Sequence, residues 1–67
     1  MSSIDKFIDY VIESYAASTG KSVDEVRGVF VSRGVNDIIR RCPSPFISHG
    51  QAWRNKMIEK QLAHTDF

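Results

Sequence analysis

Apolar residues in the first third of the chain recur three and four positions apart. Residues at this spacing lie on one face of an α-helix. The apolar positions are Ile4, Phe7, Ile8, Val11, Ile12, Tyr15 and Ala16. We therefore predict a helix over about residues 3–18. Gly20 is suited to the left-handed position that ends many helices.

A second helix is predicted over about residues 22–33, with Val26, Val29 and Phe30 facing inward. Ser22 and Glu25 have the spacing of a capping box, in which each side chain satisfies a backbone N–H. Gly28 lies inside this helix, where we expect it to allow a close contact with another helix. The cap favours helix over a strand in the apolar run at 29–31, and Gly34 is the predicted stop.

A short third helix is predicted over about residues 36–42, with Asn36 as its N-cap. Its apolar side comprises Ile38, Ile39 and Cys42. Pro43 and Pro45 should end it, because proline donates no N–H and disfavours helix in the residue before it. We expect the segment after it to be irregular and held to the core by Phe46 and Ile47.

The last helix is predicted over about residues 48–64. Ser48 and Gln51 again have the capping-box spacing. A buried stripe is expected at Trp53, Met57, Ile58 and Leu62. In this pattern Arg54 and Lys56 face outward. The fold class is therefore all-α: a compact bundle of three longer helices plus one short helix, forming a single domain over residues 1–67.

The chain of 67 residues is too short for more than one domain, and a domain this small buries only about 60% of its unfolded surface. A partner surface is thus a physical expectation. The formal net charge is +1, but residues 1–20 are net −2 and residues 21–60 are net +4. The basic part suits an acidic partner.

One cysteine excludes an internal disulfide, and no apolar run is long enough to cross a membrane. No signal-peptide pattern opens the chain, so we predict a cytoplasmic protein.

We predict no enzyme, cofactor or metal site, because no residue pattern of catalysis or of metal ligation is present. Cys42 is expected to be a small buried residue on the side of Ile38 and Ile39. His49 precedes the predicted last helix, whose free N–H groups attract anions. We favour a simpler role for His49, bonded to local backbone.

Residues 22–41 also fit a helix-turn-helix pattern, with Asn36, Arg40 and Arg41 as base or phosphate contacts. Asp37, the short second helix and the nearly neutral charge count against binding to DNA. For binding to a protein, the candidate residues are Tyr10, Arg33, Arg40, Arg41, His49 and Arg54. Tyrosine and arginine are common anchors at interfaces.

The order of these features resembles a family of small, uncharacterised bacterial helical domains. Its opening helix has the form F-x-x-x-x-I-E-x-Y, and here Phe7 is followed by Ile12-Glu13-Ser14-Tyr15. Its second helix ends in F-x-x-x-G-V, as at residues 30–35, before a two-turn helix like Asn36-Asp37-Ile38-Ile39. Its last helix opens with a histidine beside Gly and Gln, as at residues 49–51.

Members of that family resemble accessory proteins encoded beside toxin-like genes, including ADP-ribosyltransferase-like ones. The resemblance implies a non-catalytic protein that binds and restrains, or assists, a partner encoded nearby, as in a toxin–antitoxin pair. Two alternatives remain, a helix-turn-helix-like DNA-binding regulator and a structural homodimer.

Overall fold

The computed structural model describes residues 3–64, and all its regular elements there are α-helices. The helices are α1 (Ser3–Thr19), α2 (Val23–Ser32), α3 (Val35–Arg41), α4 (Pro43–Ser48) and α5 (Gln51–His64). The predicted all-α class is confirmed, and the run at 29–31 is helical, within α2. The predicted number of helices is wrong, because the described residues form five helices and not four.

Helix α1 ends as its sequence predicts. Gly20 has φ of 72°, in the left-handed region that glycine adopts without steric cost. The backbone N–H of Lys21 donates to the carbonyl of Ala16 at 3.0 Å, which is the bond that closes a Schellman motif. This bond satisfies one of the carbonyls left free at the helix end.

Helix α2 is capped by Ser22, whose hydroxyl accepts from the backbone N–H of Glu25 at 3.1 Å. This is the hydroxyl half of the predicted capping box. Gly28 does not serve a close helix contact, because a Cβ atom built there would meet nothing within 4 Å. That expectation is wrong: Gly28 lies on the exposed face of α2.

The junction between α2 and α3 is a single glycine. Gly34 has φ of 76°, and its carbonyl accepts from the N–H of Ile38 at 3.2 Å. Helix α3 therefore begins at Val35, and Asn36 lies inside its first turn instead of capping it. The predicted cap is wrong because Gly34 ends one helix and starts the next, which leaves no separate N-cap position for Asn36.

The segment after α3 is the helix α4, where we expected irregular chain. Pro43 and Pro45 lie in its first turn, where backbone N–H groups have no intrahelical acceptor and a fixed φ favours helix. The prolines therefore end α3 and start α4. Phe46 is buried in the core as predicted, whereas Ile47 is 61% exposed and does not hold the segment to the core.

Helix α5 begins at Gln51, three residues later than predicted. Ser48 is the last residue of α4, and its hydroxyl donates to the carbonyl of Ser44 at 2.9 Å. The first bond of α5 runs from the N–H of Arg54 to the carbonyl of Gly50 at 3.1 Å. The predicted capping role of Ser48 is therefore wrong.

The core draws on all five helices. Its buried residues are Ile8, Val11, Ile12, Tyr15, Ala16, Val26, Phe30, Val35, Ile39, Phe46 and Ile58. Phe30 lies at 6.0 Å from Tyr15, measured between ring centroids. Burial, and secondarily the charge of Glu59, raises the pKa of Tyr15. Trp53, Met57 and Leu62, expected in the buried stripe, are only partly buried.

Helix α5 runs parallel to α1, and two side-chain bonds set this register. Gln51 donates through Nε2 to the carbonyl of Ser14 at 3.1 Å. Asn55 donates through Nδ2 to the hydroxyl of Ser18 at 2.9 Å. Each bond advances four residues, one helical turn, on both helices. The start of α5 consequently lies beside the middle of α1.

Replacing Gly28 with alanine should stabilise the protein by about 0.5–1 kcal/mol, because an exposed mid-helix glycine loses more backbone entropy on folding than alanine does. Thermal unfolding followed by circular dichroism measures the change, and each kcal/mol shifts Tm by about 4–8 °C in a domain of this size.

The matched control is Gly34→Ala. Its Cβ has room, with Gln61 Nε2 at 4.0 Å, but the left-handed backbone costs an L-residue about 1–2 kcal/mol. Tm should therefore fall. A fall in Tm for Gly28→Ala as well would contradict the open helix face described for residue 28.

Candidate interaction surface

Two aromatic side chains lie together on the exposed side of α1. Phe7 and Tyr10 are three residues apart and so share a helix face. Their ring centroids are 6.3 Å apart with planes tilted by 31°. Phe7 is half-buried, whereas Tyr10 is 53% exposed. Tyr10, one of the predicted interaction residues, is thus a large aromatic residue open to solvent.

A second aromatic group lies where α4 meets α5. The ring of Trp53 meets Phe46 edge-on, with centroids 5.2 Å apart. On another side it stacks with His49, with centroids 4.3 Å apart and planes within 16°. Phe46 lies in α4, His49 is the residue that follows it, and Trp53 lies in α5, so these ring contacts join the end of α4 to α5.

His49 is bonded to local backbone, the role we favoured, although at the C-terminal end of α4 and not at the start of the last helix. Its Nδ1 lies 2.8 Å from the carbonyl oxygen of Pro45. A carbonyl only accepts hydrogen bonds, so Nδ1 is the nitrogen that carries a proton. The backbone N–H of His49 donates to the same oxygen at 3.0 Å. Both bonds hold the imidazole against Trp53.

Arg54 connects these two aromatic groups. Its Nη1 donates to the carbonyl oxygens of His49 at 3.0 Å and Phe46 at 3.4 Å. Its guanidinium carbon lies 5.4 Å from the centroid of the Tyr10 ring, within the range of a cation–π interaction. One side chain therefore satisfies carbonyls at the end of α4 and also contacts α1.

Arg54 is buried, with 7% of its surface exposed, so the expectation that it faces outward is wrong. The buried stripe of α5 includes residues 54 and 58, one helical turn apart, and Trp53 and Met57 flank it half-buried. The four-residue spacing between Arg54 and Ile58 places both residues on one helix face. Charged residues are usually exposed, so this spacing alone does not predict that Arg54 is buried. A charged side chain is buried where polar partners inside the fold accept its hydrogen bonds.

We name the surface formed by Phe7, Tyr10, His49 and Trp53 the aromatic face, with the buried residues Phe46 and Arg54 beneath it. Helices α1 and α5 and the residue that follows α4 contribute to it, and the contacts through Arg54 join its two halves. Aromatic residues and arginine are enriched in protein interfaces relative to other surfaces. The face has the composition of a docking surface and contains no acid–base pair.

The structure brings together three of the six predicted interaction residues, namely Tyr10, His49 and Arg54. Arg33 is half-buried at the end of α2, and its carbonyl accepts from Gln61 Nε2 at 3.2 Å. Arg40 and Arg41 lie on α3, both exposed. These three arginines are not members of the aromatic face.

Two ion pairs join α1 to its neighbours on a different side of the protein. Arg40 lies 2.7 Å from Asp5, and Arg27 lies 2.7 Å from Asp9. The hydrogen bond and the charge of Asp9 raise the pKa of Arg27. A shallow groove of about 360 Å³ runs between these pairs. Charge is balanced along it, so it offers no strong field to an ion.

The contacts of α3 bear on the helix-turn-helix alternative. The side chain of Asn36 is half-buried, and its Oδ1 atom is buried with no hydrogen-bond partner among the described residues. Arg40 is paired with Asp5. A helix that reads bases needs such side chains free to enter the groove. Of the proposed DNA contacts, Arg41 alone is exposed without a pairing described here.

Cys42 is exposed, so the prediction of a buried cysteine is wrong. Its φ of −136° and ψ of 70° lie outside the helical region. The backbone is therefore no longer helical at this residue, and Cys42 does not share a helix face with Ile38 and Ile39. Among residues 3–64, no group of three or more histidine, cysteine, aspartate or glutamate side chains is placed to hold a metal ion.

Cys42 should react fully with Ellman's reagent in the native protein, at the same rate with and without a low concentration of urea. Exposed thiols need no opening of the fold to react, whereas buried thiols do. Absorbance at the thiolate-release band measures the reaction. Reaction that requires denaturant would show that the thiol is buried after all.

Replacing Arg54 with alanine should destabilise the protein by about 1–3 kcal/mol, because it leaves the buried carbonyl of Phe46 and the partly buried carbonyl of His49 without this donor. Arg41→Ala removes an exposed arginine and should change stability by no more than about 0.5 kcal/mol. Urea unfolding of both variants measures the difference. Equal stabilities of the two variants would show that the hydrogen bonds of Arg54 do not stabilise the end of α4.

Comparison of the chain with protein-family models, with curated proteins and with solved structures found no match to any of the three. None of the helices in residues 3–64 is both long enough and apolar enough to cross a membrane. The assignment of a function therefore depends on the residues themselves.

Proposed function

We propose that this chain is a non-catalytic protein-interaction module that binds and restrains a protein partner encoded nearby, as an antitoxin-like or accessory protein does. The observation that carries the proposal is the aromatic face, where Tyr10 is half-exposed beside a buried arginine. The resemblance of residues 4–62 to domains encoded beside toxin-like genes supports the choice of a neighbouring protein as the partner.

The side chains of the aromatic face are held in place before any partner arrives. His49 is bonded to Pro45 and stacked on Trp53, and Tyr10 lies against Phe7 and Arg54. Binding loses less entropy when interface side chains are already ordered. Tyrosine, tryptophan and arginine are also the residue types that most often dominate binding energy.

The size of the domain fits a mechanism of occlusion. A standard interface removes about 800 Å² from each partner, and the accessible surface of this chain is 4396 Å². Such an interface would engage roughly a fifth of the molecule. A small rigid domain bound over a cleft restrains the partner by blocking access, and the burial of apolar surface supplies the driving force.

Tyr10→Ala should reduce capture of the neighbour-encoded protein by about tenfold or more, since an interface anchor contributes more than about 1.4 kcal/mol. A tagged chain is co-expressed with that protein, and the affinity of the purified pair is measured by calorimetry. The control is Val31→Ala, which truncates a side chain that is 67% exposed on α2. Circular dichroism checks that both variants remain folded.

Val31→Ala should bind as the unchanged chain does. Equal loss in both variants, or no capture of the neighbour by the unchanged chain, rejects the proposal. Self-association in sedimentation that Tyr10→Ala abolishes would instead establish the homodimer. Salt-dependent binding to its own promoter DNA, lost in Arg41→Ala, would establish the DNA-binding alternative.

A further inference from the structure

Arg54 carries a buried positive charge that no carboxylate in the described part of the chain neutralises. The residue is 7% exposed. Both of its hydrogen bonds go to neutral backbone carbonyls, and both use Nη1. Within residues 3–64, Nε and Nη2 therefore have no acceptor, although a guanidinium holds five N–H donors.

Nε and Nη2 are not among the buried side-chain atoms that lack a hydrogen-bond partner, so both reach solvent although the residue as a whole is buried. Arginine keeps its charge under all ordinary conditions. The carbonyl oxygens of residues 46 and 49 and the face of Tyr10 stabilise this charge from within the fold. The N–H groups on Nε and Nη2 point the same way, and this pair is the edge that binds a carboxylate through two parallel bonds.

The geometry of the unbonded edge favours an anion with two acceptor oxygens side by side. The guanidinium lies beside exposed Tyr10, so an incoming group meets aromatic surface around a single recessed cation. A carboxylate on a short side chain with apolar neighbours fits this arrangement. A nucleic-acid backbone instead requires several accessible cations in a row.

We propose that the aromatic face recognises an acidic residue, Asp or Glu, set between apolar residues of the partner protein. The carboxylate takes the Nε and Nη2 edge of Arg54, and the apolar neighbours pack on Tyr10 and Phe7. The partner's carboxylate thereby replaces water at the unbonded edge of the guanidinium. The inference rests on the proposed function and adds the chemistry of the partner's recognition segment.

The test uses two blocked peptides, acetyl-Leu-Leu-Glu-Leu-Leu-amide and the same peptide with glutamine in place of glutamate. Each is titrated into the full chain labelled with ¹⁵N, and the Nε–H signal of Arg54 and the indole N–H of Trp53 are followed by NMR. The glutamate peptide should shift both signals to saturation. The glutamine peptide should bind about tenfold more weakly, because a bond to a charged acceptor is about twice as strong as a neutral one.

Two variants and one control locate the site. Tyr10→Ala should weaken binding of the glutamate peptide several-fold while the protein stays folded. Arg41→Ala removes an exposed cation from α3 and should leave the titration unchanged. Arg54→Lys retains the charge without the paired edge and should also weaken binding, since lysine binds a carboxylate as a point charge.

Equal binding of the two peptides, or shifts that depend on Arg41 and not on Tyr10, would overturn the inference. Absence of any Arg54 shift at millimolar glutamate peptide would overturn it as well. Capture of the neighbouring protein separates the two proposals. If capture depends on Tyr10 while the glutamate peptide leaves Arg54 unmoved, the interaction module stands and its acidic recognition segment does not.

Discussion

A buried arginine at one end of the bundle determines how three helices meet. Arg54 donates to the carbonyls that end α4 and lies against Tyr10 of α1. Helix α4 has only six residues. A helix this short buries little surface and is not stable by its intrinsic helix propensity alone. The bonds from Arg54, together with Phe46 in the core, keep α4 in place. The packing of Trp53 between Phe46 and His49 then follows, and with it the aromatic face.

In the proposed interaction, stability and recognition share residues because there is little chain to separate them. Core residues from all five helices form one cluster, and Phe7 and Trp53 of the aromatic face pack against it. The same guanidinium that satisfies carbonyls inside the fold presents its other edge toward the surface. Under the proposal, a change in Arg54 alters folding and binding together, whereas a change in Tyr10, half-exposed on α1, separates the two effects.

Much of the fold follows from local sequence signals. The apolar spacing of α1, the hydroxyl of Ser22 and the glycines at 20 and 34 act within a few residues, and each behaves as expected. The failures share a cause. The prolines at 43 and 45 break one helix but start another, and which effect dominates depends on whether Phe46 finds a core to enter. The predicted third helix included Cys42, but α3 ends one residue earlier, and Cys42 is exposed.

The sequence by itself determined the all-α class, the helix stops at glycine and most of the core, because periodicity and capping are properties of neighbouring residues. Only the tertiary structure decided that Arg54 is buried and that Tyr10 and His49 belong to one surface. Those contacts join residues 10, 49 and 54, and their closeness depends on α5 lying parallel to α1. No local pattern encodes that register, because it is fixed by hydrogen bonds between residues 37 positions apart.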